Sequence, residues 1–330
     1  MAKAEQIIEL LKSHISGDER RFYAIAMQVA AHEAQQGHEK LAQELKRLVD
    51  KAKDKRTVLT SAPSVVNIAH PKGELANLLS VEYPEIRFSQ LTFSSAIKER
   101  IDRIILEQRQ HHALAEYGLR PRRKILFYGP PGTGKTVTAA ALAGELNLPL
   151  FTIRLDGLIT KYMGETAGKL RLVFDAIRAT RAVYFFDEFD AIGGDRALSN
   201  DVGEMRRILN SFLQFMEQDN SESLILAATN HVKLLDNALF RRFDDVIEYR
   251  LPDAEQIDKI IQNKLHNFKL DRINWKEIEN ASAGLSHAEI TRACIEAAKQ
   301  SILSDMPSIS KKLLLDAIAE RKHNSTVSNP

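Results

Sequence analysis

The sequence predicts an α/β fold: a parallel sheet flanked by helices, with an N-terminal helical bundle before it and a C-terminal all-helical lid domain after it. Three observations predict this. Strand-sized apolar runs at 125–128, 150–153, 182–186 and 224–228 alternate with helix-sized segments, the pattern of parallel strands joined by helical crossovers. The loop after the first run is rich in glycine and ends Gly134-Lys135-Thr136. Before residue 57 and beyond 253, apolar residues recur only at helical spacing.

The elements follow in order. Ile7, Ile8, Leu11 and Ile15 form one helical stripe. Phe22, Ile25, Ala26, Val29 and Ala30 form a second after the Gly17-Asp18 break, and Leu41, Leu45, Leu48 and Val49 a third after Gly37. Residues 1–56 therefore read as a three-helix bundle whose outer face docks a partner or substrate. Pro63, Pro71, Gly73 and Pro84 interrupt 57–87, which reads as a linker. A large α/β domain occupies 88–252. It opens with a helix carrying Ile97, Ile101, Ile104 and Ile105, and helices after Gly134, at 167–178 and at 202–218 cover its sheet. Residues 253–321 read as helices only, with a stripe at Ile257, Ile260, Ile261 and Leu265, and 322–330 as a polar, disordered tail.

Composition narrows the classes. With 44% hydrophobic and 27% charged residues in 330, the chain is not a disordered, collagen-like or disulfide-scaffold protein. Lys and Arg number 46 against 44 acidic residues, a formal charge of +2, which argues against a dedicated nucleic-acid binder. The single cysteine, Cys294, permits neither an intrachain disulfide nor a cysteine metal cluster. No apolar run approaches the roughly 18 residues of a membrane span, and Glu5 and Glu9 interrupt the first apolar segment, unlike a signal peptide. The expected location is the cytoplasm, away from membranes.

Gly129-Pro130-Pro131-Gly132-Thr133-Gly134-Lys135-Thr136 matches G-x-x-x-x-G-K-[ST] between a strand and a helix. The glycines let backbone N–H groups curl around an anion, and the helix N-terminus adds partial positive charge beneath it. Lys135 is placed to reach the β- and γ-phosphates, and the Thr136 hydroxyl to ligate Mg²⁺. These eight residues and Val137 form the expected ATP-binding set. Asp187-Glu188 closes the apolar run 182–186, at the edge of a parallel sheet where ligands bind. Asp187 is expected to hold Mg²⁺ through water and Glu188 to polarise the attacking water. Asp190 reads as structural.

With these residues in hand, the sequence resembles the AAA ATPase family over about 88–305. Gly129–Thr136 looks like its Walker A motif and Val183–Asp190 its Walker B motif. Leu226–Asn230 resembles the sensor 1 strand, which implies that Asn230 positions the lytic water. Leu235–Asp244 resembles the second region of homology, which implies that Arg241 and Arg242 are arginine fingers acting in a neighbouring subunit; taken alone, the pair reads equally as a salt-bridged loop. The resemblance implies a homo-oligomeric ring, six subunits in the family. Lys161-Tyr162-Met163-Gly164 resembles the pore loop of protein-threading members, so Tyr162 and Met163 are expected to grip polypeptide; Gly193–Asn200 resembles a second pore loop. Gly284-Leu285-Ser286-His287-Ala288-Glu289 departs from the family's Gly-x-Ser-Gly-Ala-Asp: His287 replaces a glycine, no sensor 2 arginine is assigned, and Gly284 and Ala288 are expected to line the adenine. Arg120, Arg122, Arg123 and Lys124 read as a solvated edge, His111-His112 as a surface pair, and Trp275 as lid packing.

The function this implies is a Mg²⁺-dependent ATPase ring that remodels, unfolds or threads protein, with a separate peptidase or an adaptor met through the N-terminal bundle. An ATP-switched assembly regulator and a DNA-associated loader are the alternatives.

Overall fold

The structure, a computed structural model, describes residues 25–30, 71, 73–158, 163–190, 202–235, 237–271, 273–304 and 308–327, with isolated positions between 33 and 47. The chain divides into two compact units, Met1–Ile68 and Ala69–Pro330. In the first, residues 25–30 are helical, and Ile25, Ala26, Val29 and Ala30 are buried. Most of the predicted bundle lies outside the described residues.

The second unit is built on a six-stranded sheet. Its strands are β1 (Leu79–Glu82), β2 (Lys124–Tyr128), β3 (Leu150–Ile153), β4 (Val183–Phe186), β5 (Leu224–Thr229) and β6 (Asp245–Glu248). The order across the sheet is β1-β3-β4-β5-β2-β6, parallel except for the antiparallel edge strand β1. Strand β4 shows why this sheet forms. All four of its residues are buried: Tyr184 and Phe186 pack into one apolar layer, Val183 and Phe185 into the other. Period-2 alternation with both faces apolar is what a sheet covered on two sides requires. Helices Met163–Ala179 and Val202–Gln218 cover the first face through Phe174 and Phe212. Helices Ser95–Arg109 and Lys135–Leu146 cover the second through Ile101, Ile104 and Leu142. Each such side chain contributes roughly 1.5–3 kcal/mol of burial.

The C-terminal segment, the expected lid, has a separate apolar core where Ile257, Ile261, Ile290 and Leu314 meet and Trp275 packs at the edge. Helices Ala254–Lys264, Trp275–Ser282, His287–Leu303 and Lys311–Val327 form it.

Four expectations need correction. Residues 75–82, assigned to the linker, form a helical turn and strand β1, whose main chain pairs with β3 from Leu79↔Ile153 to Glu82↔Leu150. The lid is not all helix: Lys269–Asp271 and Ser308–Ser310 pair as a short parallel ribbon, β7 and β8. The last helix continues to Val327 through the segment expected to be a disordered tail, and Lys322 Nζ donates to the Ala281 carbonyl at 3.3 Å. The basic run is not a solvated edge. Arg123 is buried and ion-paired with the buried Asp219, and Lys124 Nζ donates to the Met216 carbonyl. Burial lowers the pKa of Lys124.

Candidate nucleotide-binding and catalytic site

Strand β2 lies between β5 and β6, so the chain reverses direction across the sheet at its C-terminal end, where open α/β sheets bind ligands. The loop 129–134 starts there. Gly129 has φ +143°, and a Cβ on it would lie 2.0 Å from the Tyr249 carbonyl oxygen. Only glycine fits. Gly134 (φ +102°) leads into the helix Lys135–Leu146, which ends on the left-handed Asn147.

Lys135 is buried, and its Nζ donates to the Gly129 and Pro130 carbonyls at 2.7 and 2.8 Å. Burial pulls its pKa down to about 8, with Asp187 and Asp190 opposing. Thr133 Oγ1 donates to the Pro130 carbonyl at 2.8 Å, bracing the loop. Below the loop, the buried Tyr249 hydroxyl donates to Thr138 Oγ1, which donates to the Gly134 carbonyl, at 2.9 and 2.8 Å.

The acidic turn follows β4. Asp187 Oδ2 accepts from Thr136 Oγ1 at 2.9 Å, and its Oδ1 from the Glu188 amide at 2.9 Å. Glu188 is exposed and has φ +50°, one of two described non-glycine residues at positive φ. Such backbone costs a non-glycine residue about 1–2 kcal/mol, and strain of this kind collects at functional sites. Asp190 Oδ1 accepts from Thr229 Oγ1 at 2.8 Å, the structural role the sequence gives it, and ties the turn to the end of β5. Asn230 follows immediately.

A cavity of about 1130 Å³ joins these parts. It is lined by Pro131–Val137, Asp187, Glu188, Asn230 and Ala288, so most of the residues expected to act on a nucleotide face one space. Gly129 and Pro130 support it from behind. Gly284 does not line it; at φ +88° it makes the turn before the lid helix. In that helix Ser286 and Glu289 form a reciprocal cap, and the Ala288 amide donates to the Gly132 carbonyl at 3.0 Å, docking the lid on the loop. Gly132 is needed here, because a Cβ would meet Ser286 Oγ at 2.5 Å.

Sequence reasoning placed His287 near the adenine but missed the rest of the cavity's second wall. Ile86 and Ser89–Phe93 face Ile260, Asn263 and His287, and Asn263 Nδ2 reaches Thr92 Oγ1 at 3.4 Å. Neither arginine of the 241–242 pair lines the cavity. Both are exposed; Arg242 is ion-paired with Glu217, and Arg241 has no partner among the described residues. Tyr162 and Gly193–Asn200 lie outside the described residues; Met163 begins the helix 163–179, and its side chain is outside them too.

Thr136 Oγ1 and Asp187 Oδ2 lie 2.9 Å apart, the hydroxyl donating to the carboxylate, and together offer a cation two oxygen ligands. Among the described residues no cluster of three or more His, Cys, Asp or Glu side chains suits a metal. That donor set fits Mg²⁺, which takes few protein oxygens and completes its shell with phosphate and water.

A glycine-rich loop on a helix N-terminus, a buried lysine inside it and a carboxylate pair on the adjacent strand define a nucleoside-triphosphate-hydrolysing site. The family described as ATPase family associated with various cellular activities (AAA) matches residues 125–251. The AAA family ATPase y4kL of Sinorhizobium fredii is 35% identical over 315 residues, covering 94% of this chain and 93% of that protein. The chain belongs to the AAA family and hydrolyses ATP. It is also 36% identical over 250 residues, 73% of its length, to the proteasome-activating nucleotidase of Saccharolobus islandicus, and 34% over 232 residues to that of Methanoregula boonei. It spans 63% and 53% of those two proteins. No helix among the described residues is long and apolar enough to cross a membrane.

Proposed function

We propose that the protein is a ring-forming, Mg²⁺-dependent ATPase that spends hydrolysis on remodelling polypeptide. The observation that carries this reading is the similarity, over 73% of the chain, to proteins named for activating the proteasome. Lys135 and the loop amides bind the phosphates. Thr136 and Asp187 hold Mg²⁺, which when bound neutralises charge on the β- and γ-phosphates. Glu188 polarises the attacking water and Asn230 holds it in line. Arg241 and Arg242, absent from this chain's own cavity, act in the next subunit, where a finger is worth about 10³–10⁵ in rate. A head-to-tail contact of that kind closes into a ring or opens into a spiral; the proposed assembly is a closed hexamer working in the cytoplasm. Tyr162 and Met163 grip the substrate in the pore, and residues 1–56 dock substrate, an adaptor or a separate peptidase.

The test is a trap. Tagged Glu188→Gln should hold ATP and retain polypeptides in native cells, and Glu188→Gln/Tyr162→Ala should release them. A single partner held regardless of Tyr162 would indicate an ATP-switched regulator, and co-purifying DNA a loader.

A further inference from the structure

The loop 132–136 and Asp187 fix where the phosphates of a nucleotide lie. Its base must then lie among the other walls of the cavity, which include Ser89–Phe93, Ile260, Asn263 and His287 beside Lys264, His266, Thr291 and Arg292. His287 is the first residue of the helix His287–Leu303. The Ser286–Glu289 cap sets its backbone, and the next amide, that of Ala288, is hydrogen-bonded to the phosphate loop at Gly132. Its place relative to the phosphates is therefore built in.

The two ring nitrogens differ. Nδ1 is sealed from solvent with no hydrogen-bond partner among the described residues. Burial lowers the pKa of this imidazole, with Asp253 opposing, so the ring is neutral at pH 7. A neutral ring carries one proton. A buried N–H without an acceptor is the rarer and costlier arrangement, so the proton belongs on Nε2. The side chain thus offers the cavity a single donor, and purine rings offer acceptor nitrogens.

We propose that His287 is a specificity-determining residue of the nucleotide site, its Nε2–H donating to a ring nitrogen of the purine base. This rests on the reading of the cavity as the ATP site.

The full-length protein is tested by equilibrium binding of two probes, ADP and inorganic tripolyphosphate, which has no base. His287→Phe keeps a ring and removes the donor. It should weaken ADP about 2- to 10-fold, the value of one net hydrogen bond, and leave tripolyphosphate unchanged, which also shows the variant folded. His287→Gln places an amide N–H near the position of Nε2 and should recover part of the loss. Equal weakening of both probes, or unchanged ADP affinity, overturns the proposal. Lys135→Ala separates the two levels: it should lose both probes, and if it binds both as wild type does, the cavity is not the phosphate site and the underlying reading fails instead.

Discussion

Lys135 provides a quantitative test of the phosphate site. Its ammonium group is buried against two carbonyls, and its pKa falls to about 8. Without ligand it is therefore about nine-tenths charged at pH 7, half at pH 8 and one-tenth at pH 9. A polyphosphate beside it favours the charged form and raises the pKa again. Nucleotide binding must then take up about 0.1 proton at pH 7, about 0.5 at pH 8 and about 0.9 at pH 9. The sign follows: affinity is fullest below about pH 8 and falls as pH rises above it, approaching tenfold per unit. The γ-phosphate, with a second pKa near 6, is about one-tenth protonated at pH 7, where release of its proton offsets the small uptake, and is ionised at pH 8 and 9, where it adds little. Calorimetry in two buffers of different ionisation enthalpy, at pH 7, 8 and 9, measures the uptake directly. Lys135→Arg keeps its charge at every pH and should show no uptake. Absence of uptake in the wild type at pH 8 and 9, or the same uptake in Lys135→Arg, would refute the reasoning.

Two further predictions concern stability. Gly129→Ala forces a Cβ into the Tyr249 carbonyl and should abolish accumulation of folded protein. Gly168→Ala, inside the helix 163–179 with nothing within 4 Å of the added Cβ, should raise stability by about 0.5–1 kcal/mol; thermal melts of both check the contrast. Arg123→Ala strands the buried Asp219 carboxylate and should cost about 3–5 kcal/mol in urea unfolding, whereas Arg242→Ala, which breaks the exposed pair with Glu217, should cost under about 1 kcal/mol.

Much of the site was legible in the sequence because its residues are neighbours along the chain. A loop such as 129–136 carries its own conformation in its glycines, and β4 reveals itself by the apolar run 182–186 followed at once by Asp187-Glu188. Groups assembled by tertiary contact were not legible. Arg123 looks like part of a solvated run until Asp219, 96 residues away, is placed beside it. Strand β1 is four residues long, sits on an edge and follows Pro71 and Gly73, so its alternation of Leu79 and Val81 is too short to stand out. Strands β7 and β8 are single apolar residues between polar ones, Leu270 and Ile309, and only their mutual pairing defines them. The final helix buries Leu313, Leu314, Ala317 and Ile318, and then Ala319, Glu320 and Lys322–Asn324 are exposed, so that stretch carries no stripe. The cavity wall away from the phosphate loop joins the segment 86–93 to residues 260–287, two stretches more than 160 residues apart.

The central claim is that one chain supplies the loop and Glu188 while the next supplies Arg241 and Arg242. It is tested most directly by mixing two inactive proteins. Lys135→Ala lacks phosphate binding but keeps the arginines; Arg241→Ala/Arg242→Ala keeps the loop but lacks them. Each alone should hydrolyse ATP at a small fraction of the wild-type rate. Co-assembled, they should recover activity at those interfaces where an intact loop faces intact arginines. Recovery would establish a site shared between subunits. Full activity of the double arginine variant alone, or no recovery in demonstrably mixed assemblies, would contradict it.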